Sequence, residues 1–313
     1  MKKAGDRMFH LDEKIKKQGT AIGLGYFDGI HRGHQAVLYK ALEKAEKENL
    51  VPVVMLFDIH PRKLISGKVP PMLTSEERKK EILEEMGFTV VNFNFREAMD
   101  YSPDEFIEKI IVEKLNARVV TCGYDYHYGK GGKGNAASLH EQLSKRGIES
   151  FSLSPILLGD EIISSTRIRQ LIMEGEIEKA NTMLGKYFAY DFVVKKGDGL
   201  GHTLGFPTIN QFFPQDFIVP KYGVYLSRAR VGSRYYPAVT NVGIRPTVNK
   251  DSMRSETCIL GFSGDLYGKK IEVSLLKYMR GEIKFSSLEE LKKQISKDIK
   301  TARRLYSEVI NNG

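Results

Sequence analysis

Two histidines separated by an arginine and a glycine, His31 and His34, stand in the stretch GYFDGIHRGHQ (residues 25–35), with glycines at 25, 29 and 33. An apolar run, Ala21 to Leu24, precedes them, and a helical pattern follows from Ala36-Val37-Leu38. A strand that ends in a glycine-rich turn and feeds a helix aims backbone N–H groups and the positive end of the helix dipole at one point, which makes an anion site. Gly25 and Gly33 let the backbone approach a ligand without side chains in the way, and Phe27 and Asp28 occupy the turn itself. The imidazoles add donors that can follow charge as it develops on a phosphate. Phosphoryl or nucleotidyl transfer suits this arrangement, since it is mainly positioning and charge stabilisation without a covalent intermediate. Taken alone, His-x-Gly-His is equally a turn with two locally bonded histidines. A zinc reading lacks a clear third ligand.

Three further stretches carry chemistry-bearing residues. Ser164-Ser165-Thr166-Arg167-Ile168-Arg169 puts hydroxyls at the start of an expected helix with two arginines in its first turns, a second place to hold phosphate, although Ser-Ser-Thr is more often only an N-cap. Glycines at 197, 199, 201 and 205 allow a mobile flap over phosphates, and Thr208 and Asn210 after them offer oxygen ligands of the kind magnesium accepts. Turns in a barrel also use glycine. Glu256, in the strand-like SETCILGF, reads as a residue alone as a solvated strand position.

The elements that must position these residues fall into two halves. With 313 residues the chain has room for two ordinary cores. From Thr20 to about Ile163, short apolar runs alternate with helical periodicity: strands at Ala21–Leu24, Pro52–Phe57, Thr89–Phe93 and Arg118–Thr121, helices at Gln35–Glu48, Ser75–Met86 and Pro103–Leu115. That alternation predicts an α/β doubly wound parallel sheet. After about Met183 the texture changes to strands bounded by glycine and proline, including YFAYDFVVKKG, YGVYLSRARVG, RYYPAVTNVG, SETCILGF and KKIEVSLLKYM, which predict a small antiparallel β-barrel. A last helix is announced by Ser287-Leu-Glu-Glu290 and by the stripe Leu288, Leu291, Ile295, Ile299, Ala302 and Leu305. The division is placed as residues 1–183 and 184–313.

Charge separates the same halves. Residues 1–183 hold 27 Lys+Arg against 27 Asp+Glu, and residues 184–313 hold 21 against 12, so the net +9 belongs to the second half. A basic second half favours phosphate-bearing ligands, or is a solvated surface. No interleaved aromatic and basic run of the kind that reads RNA is present, so no nucleic-acid partner is expected. No apolar run approaches the roughly 18 residues of a membrane span, and the basic start lacks an apolar secretory core, so no membrane partner and a cytoplasmic location are expected. Cys122 and Cys258, the only cysteines, support neither a disulfide framework nor a cysteine zinc site. Nothing in the sequence fixes an oligomeric state.

The two phosphate-binding stretches of the first half together resemble the HxGH nucleotidyltransferase superfamily, and four ordered motifs narrow the resemblance. GYFDGIHRGHQ, LFDIHP (56–61), GYDYHYGKGGKGN (123–135) and ISSTRIR (163–169) occur in the order found in the bacterial bifunctional riboflavin kinase/FMN adenylyltransferase family, and LGFPTIN (204–210) is similar to its kinase signature. The resemblance covers about residues 18–310. It implies an FMN adenylyltransferase domain followed by a riboflavin kinase barrel, with riboflavin, FMN and ATP as small-molecule substrates and Mg2+ as the metal.

By position, the resemblance puts His31, His34, Gly25, Phe27, Asp28 and Gly33 at the ATP phosphates of the first site, with Ser165, Thr166, Arg167 and Arg169 acting from the other side. Asp58, Pro61, Tyr124, Asp125, Tyr126 and Arg245 are implied to contact flavin, the tyrosines being equally packing aromatics by type. In the kinase, Gly197, Gly199 and Gly201 cover ATP, Thr208 and Asn210 hold phosphate and magnesium, and Glu256 is the base. The chain departs from the pattern at Gly132-Lys133, Asn135, Leu200, His202 and Ile209. Leu200 and His202 stand where many relatives have arginines, which keeps open a monofunctional FMN adenylyltransferase with a degenerate kinase module. Arg280 is read either as a ligand contact or as a solvated barrel end.

Overall fold

The computed structural model describes residues 13–57, 67, 69–197, 199–245 and 252–311. These fall into two compact units: Met1–Pro70 with Glu76–Ile163, and Pro71–Ser75 with Ser164–Gly313.

In the first unit five parallel strands, β1 (Thr20–Leu24), β2 (Val51–Phe57), β3 (Thr89–Phe93), β4 (Ala117–Gly123) and β5 (Glu149–Leu153), lie in the order β3-β2-β1-β4-β5. Both faces are covered, which is why the central strands read as mostly apolar runs. On one face Ile22, Leu24, Met55 and Val120 pack with Ile107, Ile110 and Ile111, from the helical segment Pro103–Phe106 and its continuation Ile107–Lys114, and with Leu139 and Leu143 of the helix Ala136–Ser144. On the other, Val54 and Leu56 meet Val37, Leu38 and Ala41 of helix α1 (Arg32–Glu48) and Leu83 of α2 (Glu76–Glu85). The expected helix from Pro103 begins with the capping box of Ser102 and Glu105, but its Ile107–Lys114 stretch takes π-helical hydrogen bonding. The edge strand β5 was missed by apolar patterning because its five residues, Glu-Ser-Phe-Ser-Leu, include only two apolar ones.

The second unit is a six-stranded antiparallel sheet. Its strands are β6 (Phe188–Tyr190), β7 (Ile209–Phe212), β8 (Gly223–Val231), β9 (Arg234–Arg245), β10 (Ser252–Ile259) and β11 (Glu272–Arg280), in the order β6-β11-β8-β9-β10-β7. Beyond β6 the chain bridges both edges, Val193 to Lys270 and Lys195 to Asn210, and so curls the sheet into the expected barrel. Its interior carries a buried hydroxyl chain: Ser227 Oγ lies 2.8 Å from Thr240 Oγ1, which lies 2.9 Å from Thr257 Oγ1. Outside, Val224, Leu226, Val239 and Leu276 pack with Ile299, Ala302 and Leu305 of the last helix, α5 (Leu288–Asn311), where α3 and α4 are the helices Ser165–Glu174 and Ile177–Leu184. Leu288, the first residue of the expected stripe, is exposed, since it stands about three turns ahead of the packed residues. Arg280 is spent on Asp298 of α5, at 2.6 Å.

Helices α3 and α4 are tied to the barrel. Asn181 donates to the Leu275 carbonyl at 2.9 Å and accepts from the Phe188 amide at 2.7 Å. Packing therefore joins Ser164–Leu184 to the barrel unit, while the change of texture in the sequence stands at 183/184.

Candidate functional site

In the first unit the sheet order reverses between β1 and β4, and open parallel sheets bind ligands outside the carboxyl ends of the strands at such a switch point. Leu24 is paired with Cys122, so the loop leaving β1 (Gly25–His31) and the turn leaving β4 (Tyr124–Tyr126) emerge side by side. The β1 loop is wound tightly. Phe27 and Ile30 have φ of 55° and 44°, left-handed values that L side chains rarely adopt. A Cβ at Gly25 would lie 2.9 Å from the Phe27 ring, so only glycine fits there.

His31 caps α1. Its Nδ1 accepts the His34 amide at 3.3 Å, which puts the proton of the neutral ring on Nε2. The two imidazoles stack with centroids 3.6 Å apart, and Phe27 meets His34 edge-on at 5.4 Å. The helix is fastened to the sheet by Thr121, whose hydroxyl lies 3.0 Å from the Val37 carbonyl and 3.3 Å from that of Ile22. Gly25, Phe27, Asp28, His31, Gly33 and His34 are thus gathered at one helix N-terminus, suited to an anion.

Of the implied flavin contacts, Tyr124 and Asp125 are exposed at the β4 turn, whereas Tyr126 packs on the core and its hydroxyl is pushed far up by burial. Burial first, and the charge of Asp125 second, push the Cys122 thiol up to about 11, so it stays protonated beneath the turn. Asp58 and Pro61 lie outside the described residues, and Arg245 ends β9.

The Ser164–Arg169 stretch lies in the second unit. Ser164 is the N-cap of α3 and accepts the Arg167 amide at 3.2 Å, with Ser165 and Thr166 in the first turn. Arg167 reaches Glu174 at 3.8 Å. Arg169 is buried and donates to the Pro71 carbonyl at 2.7 Å, so this arginine holds the segment Pro71–Ser75.

On the barrel, three strands bring the kinase candidates onto one face. Asn210 on β7 pairs in register with Glu256 on β10, and Glu256 pairs with Asn241 on β9. Directly opposed residues share a face, with Cβ atoms about 4.5–5.5 Å apart. Their neighbours Gln211, Ser255, Thr257 and Thr240 are wholly buried inside, so Asn210, Glu256 and Asn241 face outward. The glycine flap lies against them: a Cβ at Gly197 would run into the Asn210 amide, and one at Gly201 would be 3.1 Å from Thr208 Oγ1. Within the flap Leu200–Thr203 forms one helical turn, and His202 is exposed.

Asn241 and Arg254 were not among the residues read as functional. Arg254 is buried and its guanidinium lies 2.6 Å from Glu256 Oε1, which fixes the carboxylate's direction. Its position two residues from Glu256 on a strand, hence on the same face, was the available signal. Among the described residues no three His, Cys, Asp or Glu side chains group as a metal site. Thr208 and Asn210, neutral oxygen donors beneath glycines whose added Cβ would fill the space above them, fit a magnesium that takes most of its ligands from phosphate and water.

Two family models match the chain. The FAD synthetase family model matches residues 13–167 and the riboflavin kinase model matches residues 184–306. A bifunctional riboflavin kinase/FMN adenylyltransferase of Bacillus subtilis is 34% identical over 94% of this chain and 95% of its own length. That of Escherichia coli K12 is 35% identical over 96% and 97%. A solved structure described as a macrolide-efflux protein from Streptococcus pneumoniae superposes with a TM-score of 0.82 at 29% identity, covering 91% of this chain and 94% of the other. Among the described residues of this chain no helix is long and apolar enough to cross a membrane.

Proposed function

The chain belongs to the bifunctional riboflavin kinase/FMN adenylyltransferase family, and from that membership we propose that it makes FMN from riboflavin and ATP on the barrel, and FAD and pyrophosphate from FMN and ATP on the α/β half. In the kinase step Glu256, aimed by Arg254, takes or orients the proton of the ribityl hydroxyl as its oxygen attacks the γ-phosphorus, and the bond to the bridging oxygen breaks to release ADP. Thr208 and Asn210 hold the phosphate end, with the flap over them. They are also the residues that would hold Mg2+, which would supply charge neutralisation at the phosphates.

In the second step a phosphate oxygen of FMN attacks the α-phosphorus of ATP, and pyrophosphate leaves. Charge gathering on the phosphates meets the N-terminus of α1 and the donors of His31 and His34. Tyr124 and Asp125 are proposed to serve the flavin. Cytoplasmic action is part of the proposal and accords with two free thiols, Cys122 and Cys258.

The observation that supports the kinase half is the register pairing of Asn210 with Glu256 beneath Gly197, two residues proposed to hold phosphate and activate the hydroxyl. The test is to incubate the chain with riboflavin, ATP and magnesium, and separately with FMN, ATP and magnesium, and to resolve the flavins by chromatography. FAD from both mixtures is expected. FAD from FMN alone would refute the kinase half and direct attention to Leu200 and His202.

A further inference from the structure

Lys79, on α2, is buried to 1% exposure, and none of the chemistry above uses it. Its ammonium lies 3.2 Å from the Tyr26 carbonyl oxygen, 2.8 and 3.0 Å from the two carboxylate oxygens of Glu76, and 4.0 Å from the centre of the Tyr26 ring. The Tyr26 hydroxyl donates to Glu76 Oε1 at 2.8 Å. Lysine, carboxylate and tyrosine therefore lock together, and the lock closes on the residue between Gly25 and Phe27.

Burying an ammonium is costly unless it is paired and hydrogen-bonded. The pair with Glu76, three residues away on the same helix, needs no burial, since such pairs form on any helix surface. The carbonyl of Tyr26 is what draws Lys79 inward. Capturing that oxygen fixes the plane of the Tyr26–Phe27 peptide, and with it the left-handed backbone of Phe27, a conformation that persists only where its surroundings enforce it. The Phe27 ring in turn meets the edge of His34. A continuous line of contacts runs from the Lys79 ammonium through the Tyr26 carbonyl and Phe27 to one of the two stacked histidines.

We propose that Lys79 is a positioning residue for adenylyl transfer: it sets the nucleotide loop Gly25–His34 from behind, through the Tyr26 carbonyl, without touching substrate. The role rests on the reading of that loop as the ATP site. Lys79→Met keeps the chain length and nearly the volume of the side chain while removing its charge and donors. The expected result is a fall of roughly 10- to 100-fold in kcat/KM for ATP in FMN adenylyl transfer, the size expected of a displacement approaching 1 Å. The KM for FMN should stay within about twofold, and riboflavin phosphorylation by the same molecules should be unchanged, as the groups assigned to it lie in the other unit.

Amide hydrogen exchange should accelerate in residues 25–34 and not in the barrel strands 223–245. Glu76→Gln alters a half-exposed partner of the lysine and is expected to give a smaller fall of the same pattern, which keeps the test open if Lys79→Met fails to accumulate. Undiminished adenylyl transfer, equal loss of both activities, or unaltered exchange at 25–34 would overturn the proposal. A wild-type chain that makes no FAD from FMN would overturn the ATP-site reading itself, and this role with it, before any variant is tested.

Discussion

Two glycines of the kinase flap separate contact from backbone freedom. Gly197 is not in the left-handed region, so alanine suits its backbone, but the added Cβ would sit 2.6 Å from Asn210 Cγ and 2.7 Å from its Oδ1. Ordinary contact begins near 3.4 Å, so the buried Asn210 side chain must retreat by about 0.7–1 Å. A group moved by 1 Å at a phosphoryl-transfer site costs about 100-fold in rate, or roughly 2.7 kcal/mol. Gly199 is the reverse case, with φ of +74° and nothing within 4 Å of its added Cβ. Alanine there strains the backbone by roughly 1–2 kcal/mol and displaces no ligand.

Steady-state riboflavin phosphorylation, followed by FMN fluorescence after chromatography, should therefore fall about 100-fold for Gly197→Ala and less than about threefold for Gly199→Ala, with FMN adenylylation intact in both. A Gly197→Ala chain that phosphorylates within threefold of wild type would show that Asn210 does not hold the phosphate end. Parallel loss of adenylyl transfer would show that the flap does not belong to a separate site.

Other expectations follow from single residues. Glu256→Gln should remove riboflavin phosphorylation by roughly 10²–10⁴-fold, about 3–5 kcal/mol, and spare FAD formation from FMN; His31→Ala should do the reverse, and chromatography of both mixtures reads the two together. The carboxyl of Glu105 is lowered to about 2, first by the Ser102 backbone N–H and then by Lys109 and the Ser102 hydroxyl. A carboxyl lowered on folding contributes stability above its unfolded value of 4.5 and loses it as pH falls toward 2. Glu105→Gln should thus lower the melting temperature at neutral pH, with the gap to wild type closing between pH 4.5 and about 2; a gap constant with pH would contradict this assignment.

Much of this protein was determined by sequence alone, because the signals are local. The doubly covered sheet writes short, mostly apolar runs at β1, β2 and β4, and the barrel writes glycine-punctuated strands. The chemistry-bearing types at 31, 34, 208, 210 and 256 stand in recognisable order, since spacing within a turn or a strand is a property of the chain. What neighbours them is not such a property. Only tertiary structure put the β1 loop beside the β4 turn at the switch point, through the pairing of Leu24 with Cys122 across about 100 residues.

Tertiary structure alone also set Asn210, Glu256 and Asn241 in one row, joined Arg169 to Pro71 and Arg280 to Asp298, and buried Lys79 against Tyr26. A cation in a sequence reads as solvated or as a ligand contact, because its burial and partners depend on elements tens of residues away. Register, closure and desolvation arise only when distant segments pack, and they decide which charges face a substrate and which hold the protein's own backbone.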